Sequence, residues 1–546
     1  MKKYSRITAT FAAAPLLLAL GAPVAHAGVV GVSGPNFELW ARSGTIVLGD
    51  GNSLATWGYS TDPTAGMQYP GPTLIVNQGD TVTVTLHNGL LVPVSAIFPG
   101  QAGVTAAPCG GSAAGLMTLE GTAATTLNGV DGGCVAYSFT ATKPGTYMYQ
   151  SGTRPELEVE MGLIGALIVR PTGFDVGTHD AHPARTAYDT AVGAHGYQPT
   201  HFDREYLFFL SEMDRSAHEA VDTRQQALAS AVAGTYTGFD DPALDAVPGA
   251  AIDSAAFKAT LWFMNGRNAP DTMLERSVAW MPNQPYNALA RAHAGERLLM
   301  RIVGAGRDLH PFHHHGNNAW MIARDGQVLE SASGILATYP DYNCVPEFDP
   351  DYAAHVLAGS CPSVPGTLAK TAPGTATLPD QAISNYTIQI VPGSTYDAIY
   401  TWTGKGLNWD IYGSSPGHSG GVGTCDESTR LPGEDPGSHC HVFNDAMGSR
   451  NFPVQLPEQQ SLTFGGFWGG SPYLGTAEPI PPLQGGLNPG AGYSFMWHSH
   501  TERELTNDDV FPGGMMTMFI LEKEPAAGDP DNICDDGTFN TGACAP

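Results

Sequence analysis

Positive charge is scarce in this chain. Its 546 residues hold 25 Lys and Arg against 52 Asp and Glu, a formal net charge of −27. A surface of that sign repels phosphate backbones and anionic headgroups, so nucleic acid and anionic membrane are poor partners. Long apolar runs are also missing. Beyond a short N-terminal segment, PLLLAL, no stretch approaches the roughly 20 residues a membrane-spanning helix needs. One familiar catalytic signature is absent as well. There is no Gly-rich phosphate loop closed by Lys, which removes the usual support for nucleotide-driven chemistry.

What is present points to export and to β structure. Lys2, Lys3 and Arg6 precede the apolar segment, and Ala25-His26-Ala27 follows it as a small-residue cleavage site. Residues 1–27 are therefore expected to be a signal peptide, the mature chain to begin at Gly28, and the location to be periplasmic or secreted. Gly (67) and Pro (42) are abundant and charged residues make up only 14%, which favours many short strands and turns. The eight cysteines form four close pairs in sequence: Cys109 and Cys134, Cys344 and Cys361, Cys425 and Cys440, Cys534 and Cys544. In an oxidising compartment local disulfides are the economical reading, although spacing leaves connectivity open.

The chain divides by composition. TLIV at 73–76 and the strictly alternating TVTVTL at 81–86 open a first β unit over 28–172. Residues 173–204 read as a linker, and a second β region spans 205–525. Within it, 216–233 has helix-forming composition, and about 330–380 and 413–490 are loop-rich insertions. Residues 526–546 read as a C-terminal tail.

Histidines are the chemical signal. HPFHHHGNNAW (His310 to Trp320) and MWHSHTEREL (His498 and His500) carry pairs spaced His-x-His. On an extended strand such a pair shares one face, a natural clamp for copper or zinc. A lone strand histidine is usually a hydrogen-bonded or surface residue; two motif-bound pairs argue for a metal. His314 is expected to point away. Glu502 and Glu504 are weaker candidates, either orienting the imidazoles or serving as plain surface charges. Met515, Met516 and Met518 are thioethers that suit Cu(I), but core packing is the simpler role, as it is for Trp320, Trp402, Trp409 and Trp497.

Together these segments resemble a family. PGPTLIVNQGDTVTVTLHNGL (Pro70 to Leu90), GTYMYQSG with MGLIGALIV, then MNGRNAPDT, GERLLMRIVGAG, HPFHHHG, ARDG and the closing YSFMWHSHTERELTNDDVFPGGMM resemble multicopper oxidases. The resemblance implies an all-β fold of tandem cupredoxin-like Greek-key β-barrels, here with long loop insertions. It also implies copper: a blue site of two His, one Cys and a weak Met, and a trinuclear centre of eight His. The chain departs from that pattern. Where the first domain would carry His-x-His it reads Ile97-Phe98-Pro99-Gly100, and where it would end in His-Ser-His it reads Tyr149-Gln150-Ser151-Gly152. Ser499 stands at the place of the blue-copper cysteine. A literal His439-Cys440-His441 exists elsewhere, but Cys440 has a ready disulfide partner in Cys425.

The expectation is one or two copper ions held by His310, His313, His315, His498 and His500, not the four-copper set. The expected function is an exported copper-dependent oxidoreductase that oxidises a phenol or a metal ion, with dioxygen or a partner as acceptor. A second copy of the chain could complete the site. A non-enzymatic copper-binding, storage or electron-transfer protein is the alternative, and a structural scaffold with incidental metal a third reading.

Overall fold

The computed structural model describes residues 29–112, 118–174, 186–188, 200–293, 296–316, 318–330, 381–401 and 493–522, with short pieces at 336–337, 378–379, 443–444, 449–450, 470–472 and 533–534. The proposed signal peptide, most of the linker and insertions, His439-Cys440-His441, Trp402 and Trp409 lie outside them. Among the described residues no helix is long and apolar enough to cross a membrane.

The fold is all-β, and its larger sheets form two groups. In the first, a four-stranded sheet (Val32–Ser33, Gly71–Asn77, Ile164–Arg170, Gly145–Gln150) and a five-stranded sheet (Ser53–Ser60, Asn36–Val47, Thr81–Asn88, Cys134–Thr140, Thr105–Pro108) share one core. Alternation decides the faces. In Thr81–Asn88, Val82, Val84 and Leu86 are buried while the residues between them lie nearer the surface. Ile164–Arg170 lacks alternation and is buried along its whole length, paired parallel to Gly71–Asn77. Cys109 and Cys134 form a disulfide at the edge of this unit, and Cys534 is also disulfide-bonded. The other five cysteines lie outside the described residues.

The second group packs a seven-stranded sheet, with Arg204–Met213, Arg297–Gly304 and Thr395–Thr401 near its middle, on a six-stranded one. The latter runs Ala290–Ala292, Met516–Leu521, Tyr493–Ser499, His310–His314, Thr387–Ile390, with Gly470–Pro472 also paired to Tyr493–Ser499. Their shared core includes Phe208, Met300, Phe312, Tyr400, Trp497 and Phe519. The helix expected near 216–233 runs Arg215–Ser230, and Asp214 caps it by accepting from the backbone N–H of Ser216 at 2.9 Å.

Two kinds of contact join the groups. An apolar layer brings Ile46, Met67, Tyr69 and Met148 of the first against Phe209, Phe263 and Val303 of the second. Beside it runs a buried ionic network. Arg170 donates to Glu205 at 2.6 Å, Arg301 donates to Glu205 at 2.7 Å and to Thr146 Oγ1 at 3.0 Å, and Thr146 donates to Asp397 at 2.6 Å. Burial alone would raise the Glu205 pKa, but Arg170 and Arg301 outweigh it and hold the carboxyl below its ordinary value. A depressed carboxylate contributes stability that is complete above the ordinary carboxylate range and is lost as pH falls through the lowered pKa. Glu205→Gln leaves two buried guanidinium groups short of a counter-charge, and is expected to cost about 3–5 kcal/mol. Thermal unfolding at neutral pH measures it; an unchanged melting temperature would show that the network contributes nothing to docking.

Candidate metal centre

The site is built on one pair of strands. His310–His314 runs antiparallel to Tyr493–Ser499 with His313 opposite His498, Phe312 opposite Ser499 and His314 opposite Trp497. The ladder continues past both strand ends, with His315 N–H donating to Met496 O and His500 N–H donating to Pro311 O. Directly opposed residues share a face, and faces alternate along a strand. His313, His315, His498 and His500 therefore project from one face. Phe312, His314 and Trp497 project from the other, into the core, and His310 and Ser499 share that parity.

Three of the five candidate ligands converge. One nitrogen from each of His313, His315 and His498 lies within 4.8 Å of the others, and all three residues are buried. His315 Nε2 and His498 Nε2 are 3.3 Å apart. Nitrogens at ~2.0–2.1 Å from a tetrahedral ion sit roughly 3.3 Å from each other, so the pair already has ligand spacing. The rings are fixed from behind. His498 Nδ1 donates to Ser499 O at 2.7 Å, which leaves the lone pair on Nε2, and His313 Nδ1 is held by Thr387 Oγ1 at 2.8 Å. Burial, reinforced by the neighbouring His315 and His500, lowers the His498 pKa to about 4. It is thus neutral at neutral pH, the form a metal requires. Three imidazoles at this spacing fit copper or zinc.

The remaining candidates divide. His500 is exposed at the rim of the trio, its ring centroid 4.8 Å from that of His313 and 5.8 Å from that of His498. His310 does not join the trio: it sits between Glu504 and Glu212, 2.9 Å from each, on the opposite parity of its strand. His314 points away as expected, packed edge-on against Phe312 and Trp497, with neither ring nitrogen hydrogen-bonded. Glu504 is buried and bonded to His310 and Ser499, whereas Glu502 is exposed. Met515 belongs to the core; Met516 faces the trio's side opposite His498 but packs with Ala269 and Leu505. Trp497 is buried beside the site and donates to His315 O at 3.2 Å, and Trp320 packs in a smaller cluster with Phe202 and Ile322.

Sequence reasoning missed Glu212, Thr387 and Tyr386. Tyr386, about half exposed, stands edge-on to His313 at 5.4 Å. Thr387 and Tyr386 belong to the next strand and its approach, and only strand pairing brings them in.

No protein-family model matches the chain, and no curated protein sequence matches it significantly. Among solved structures it is similar to the blue copper oxidase from Nitrosomonas europaea, at 16% identity over 89% of this chain and 85% of that one, with a TM-score of 0.43. It is similar to the multicopper oxidase mgLAC at 15% identity over 91% and 88%, TM-score 0.41, and to the copper nitrite reductase from Nitrosomonas europaea at 12% over 90% and 95%, TM-score 0.39. With each TM-score below one half, the reading of the site rests on its own residues.

Two substitutions separate ligands from bystanders. His498→Ala is expected to weaken Cu(II) binding by at least about 100-fold, because it removes one donor of three. His314→Leu is expected to keep the affinity and to raise stability by about 1 kcal/mol, since it removes an unsatisfied buried polar ring. Calorimetric titration and thermal unfolding read both; lost copper binding in His314→Leu would refute the assignment by strand parity.

Proposed function

We propose that the chain is an exported copper oxidoreductase that holds one copper at His313, His315 and His498, with His500 as a further donor at the rim. The observation that carries this reading is the buried trio, with His315 Nε2 and His498 Nε2 already at ligand spacing. Copper there would supply one-electron exchange between Cu(I) and Cu(II). The protein's part is to keep His498 neutral, to fix its tautomer through Ser499 O, to hold the His313 ring through Thr387 Oγ1, and to bury the trio. Electrons would come from a phenol or a metal ion and pass to dioxygen or a partner.

The first β unit supports a reduced copper set. The two segments where the resemblance calls for histidines meet: Ile97 and Gln150 exchange backbone hydrogen bonds at 2.8 and 3.1 Å. Phe98 between them packs against Tyr137, Phe139 and Tyr149. That surrounding is aromatic core and offers no imidazole.

Loading the full chain with Cu(II) tests the proposal through copper content, paramagnetic resonance and oxygen uptake with a phenol and with Mn(II). The expected result is one copper per chain of ordinary, non-blue type, with oxygen consumed in the presence of a donor. A copper-loaded chain that consumes no oxygen with either donor would replace the enzyme by a copper-binding protein. No stoichiometric copper would end both readings.

A further inference from the structure

The other parity of the same strand carries a second constellation. His310 is buried, with Nδ1 at 2.9 Å from Glu504 Oε2 and Nε2 at 2.9 Å from Glu212 Oε2. Glu504 Oε2 also accepts from Ser499 Oγ at 2.6 Å. Glu212 Oε1 accepts from the backbone N–H of Asp308 at 2.9 Å and from that of Arg307. Ionised carboxylates only accept, so both ring nitrogens of His310 donate and neither keeps a lone pair for a metal. Burial disfavours the charged ring, but the two carboxylates outweigh it and raise its pKa to about 9.

This pocket contains Ser499, the residue at the place where the resemblance implies a blue-copper cysteine. The donors do not fit that copper. The hydroxyl replaces a thiolate and is already spent on Glu504, and His310 is doubly committed. Among the described residues there is no free cysteine to substitute.

The connections of this pocket are specific. Glu212 belongs to Arg204–Met213 in the facing sheet, His310 starts the strand that leads to His313 and His315, and Ser499 lies between His498 and His500. We propose that Glu212, His310, Glu504 and Ser499 form a metal-free ionic clasp that positions the two histidine-bearing strands, and hence the trio, against each other. The clasp is drawn from these contacts alone; its effect on copper rests on the reading of the trio as a metal site. Positioning contacts of this kind are worth about 10–100-fold in metal affinity.

Nuclear magnetic resonance of the full chain with 15N-labelled histidine tests the metal-free part without any substitution. Two ring N–H protons are expected on His310, and both should persist when one equivalent of Zn(II) is added. Loss of either on loading would make His310 a ligand and overturn the clasp, as would an intense thiolate band on adding Cu(II). The positioning part is read in Glu504→Gln. It should keep the wild-type copper count while affinity falls about 10–100-fold and the Cu(II) resonance parameters shift, with Glu504→Asp recovering part of the loss. Unchanged affinity and spectrum, or the loss of a whole copper equivalent, would refute it. Should Glu504→Gln fail to fold, Ser499→Ala removes a single hydrogen bond and should show the same spectral shift on a smaller scale; no shift there would also refute the clasp. If the wild-type chain binds no metal, the copper reading fails, while the two N–H protons of His310 still decide the clasp.

Discussion

The register between His310–His314 and Tyr493–Ser499 is the constraint on which the site depends. Setting His313 opposite His498 places four imidazoles on one face and directs His314 to the other. A slip of one residue would turn every side chain over and bring Phe312 or Trp497 to the side of the histidine trio. The register is held from several directions. The His310–His314 strand is also paired to Thr387–Ile390, and its partner to Met516–Leu521. Behind the strands, Trp497 Nε1 and Tyr400 OH both donate to the carbonyl of His315, at 3.2 and 3.1 Å. Two large core side chains thereby fix the backbone at the position where the histidine pair ends.

That single strand meets opposite electrostatic demands on its two faces. His498 on the partner strand is buried among other imidazoles and donates to the Ser499 carbonyl, and its pKa drops to about 4. His310, equally buried, has a carboxylate at each nitrogen and rises to about 9. Burial penalises charge in both; the neighbours decide which form survives. A metal site needs the first environment and an ionic tie needs the second. Alternation along a β-strand lets three residues separate them, with the backbone as the partition.

Much of this was legible in the sequence. The alternation of TVTVTL predicted a strand, and the His-x-His spacing predicted same-face pairs. His310 was misplaced because the motif was read as a unit. Its offset of three from His313 puts it on the other parity, and counting along the strand would have moved it off the face of the trio. Glu212 was not legible. It lies 98 residues from His310 in sequence and reaches it from the facing sheet, a contact that only the packing of the two sheets creates. Glu504 was weighed as an orienting carboxylate or a plain surface charge; it is buried and bonded to His310 and Ser499.

The first β unit keeps its shape without contributing imidazoles where the resemblance would place them, and the contacts account for that. Ile97 and Gln150 bridge the two segments, while Phe98 and Tyr149 fill the space with aromatic rings. Burying such rings stabilises the unit's own core. On its other flank the same unit supplies Met67, Tyr69 and Met148 to the apolar layer, and Arg170 and Thr146 to the ionic network. Those residues meet Arg204–Met213 and Arg297–Gly304. Arg204–Met213 is also the strand that carries Glu212. The first β unit thus reaches the histidine trio through one strand: it packs on the element that carries Glu212, and Glu212 bonds His310.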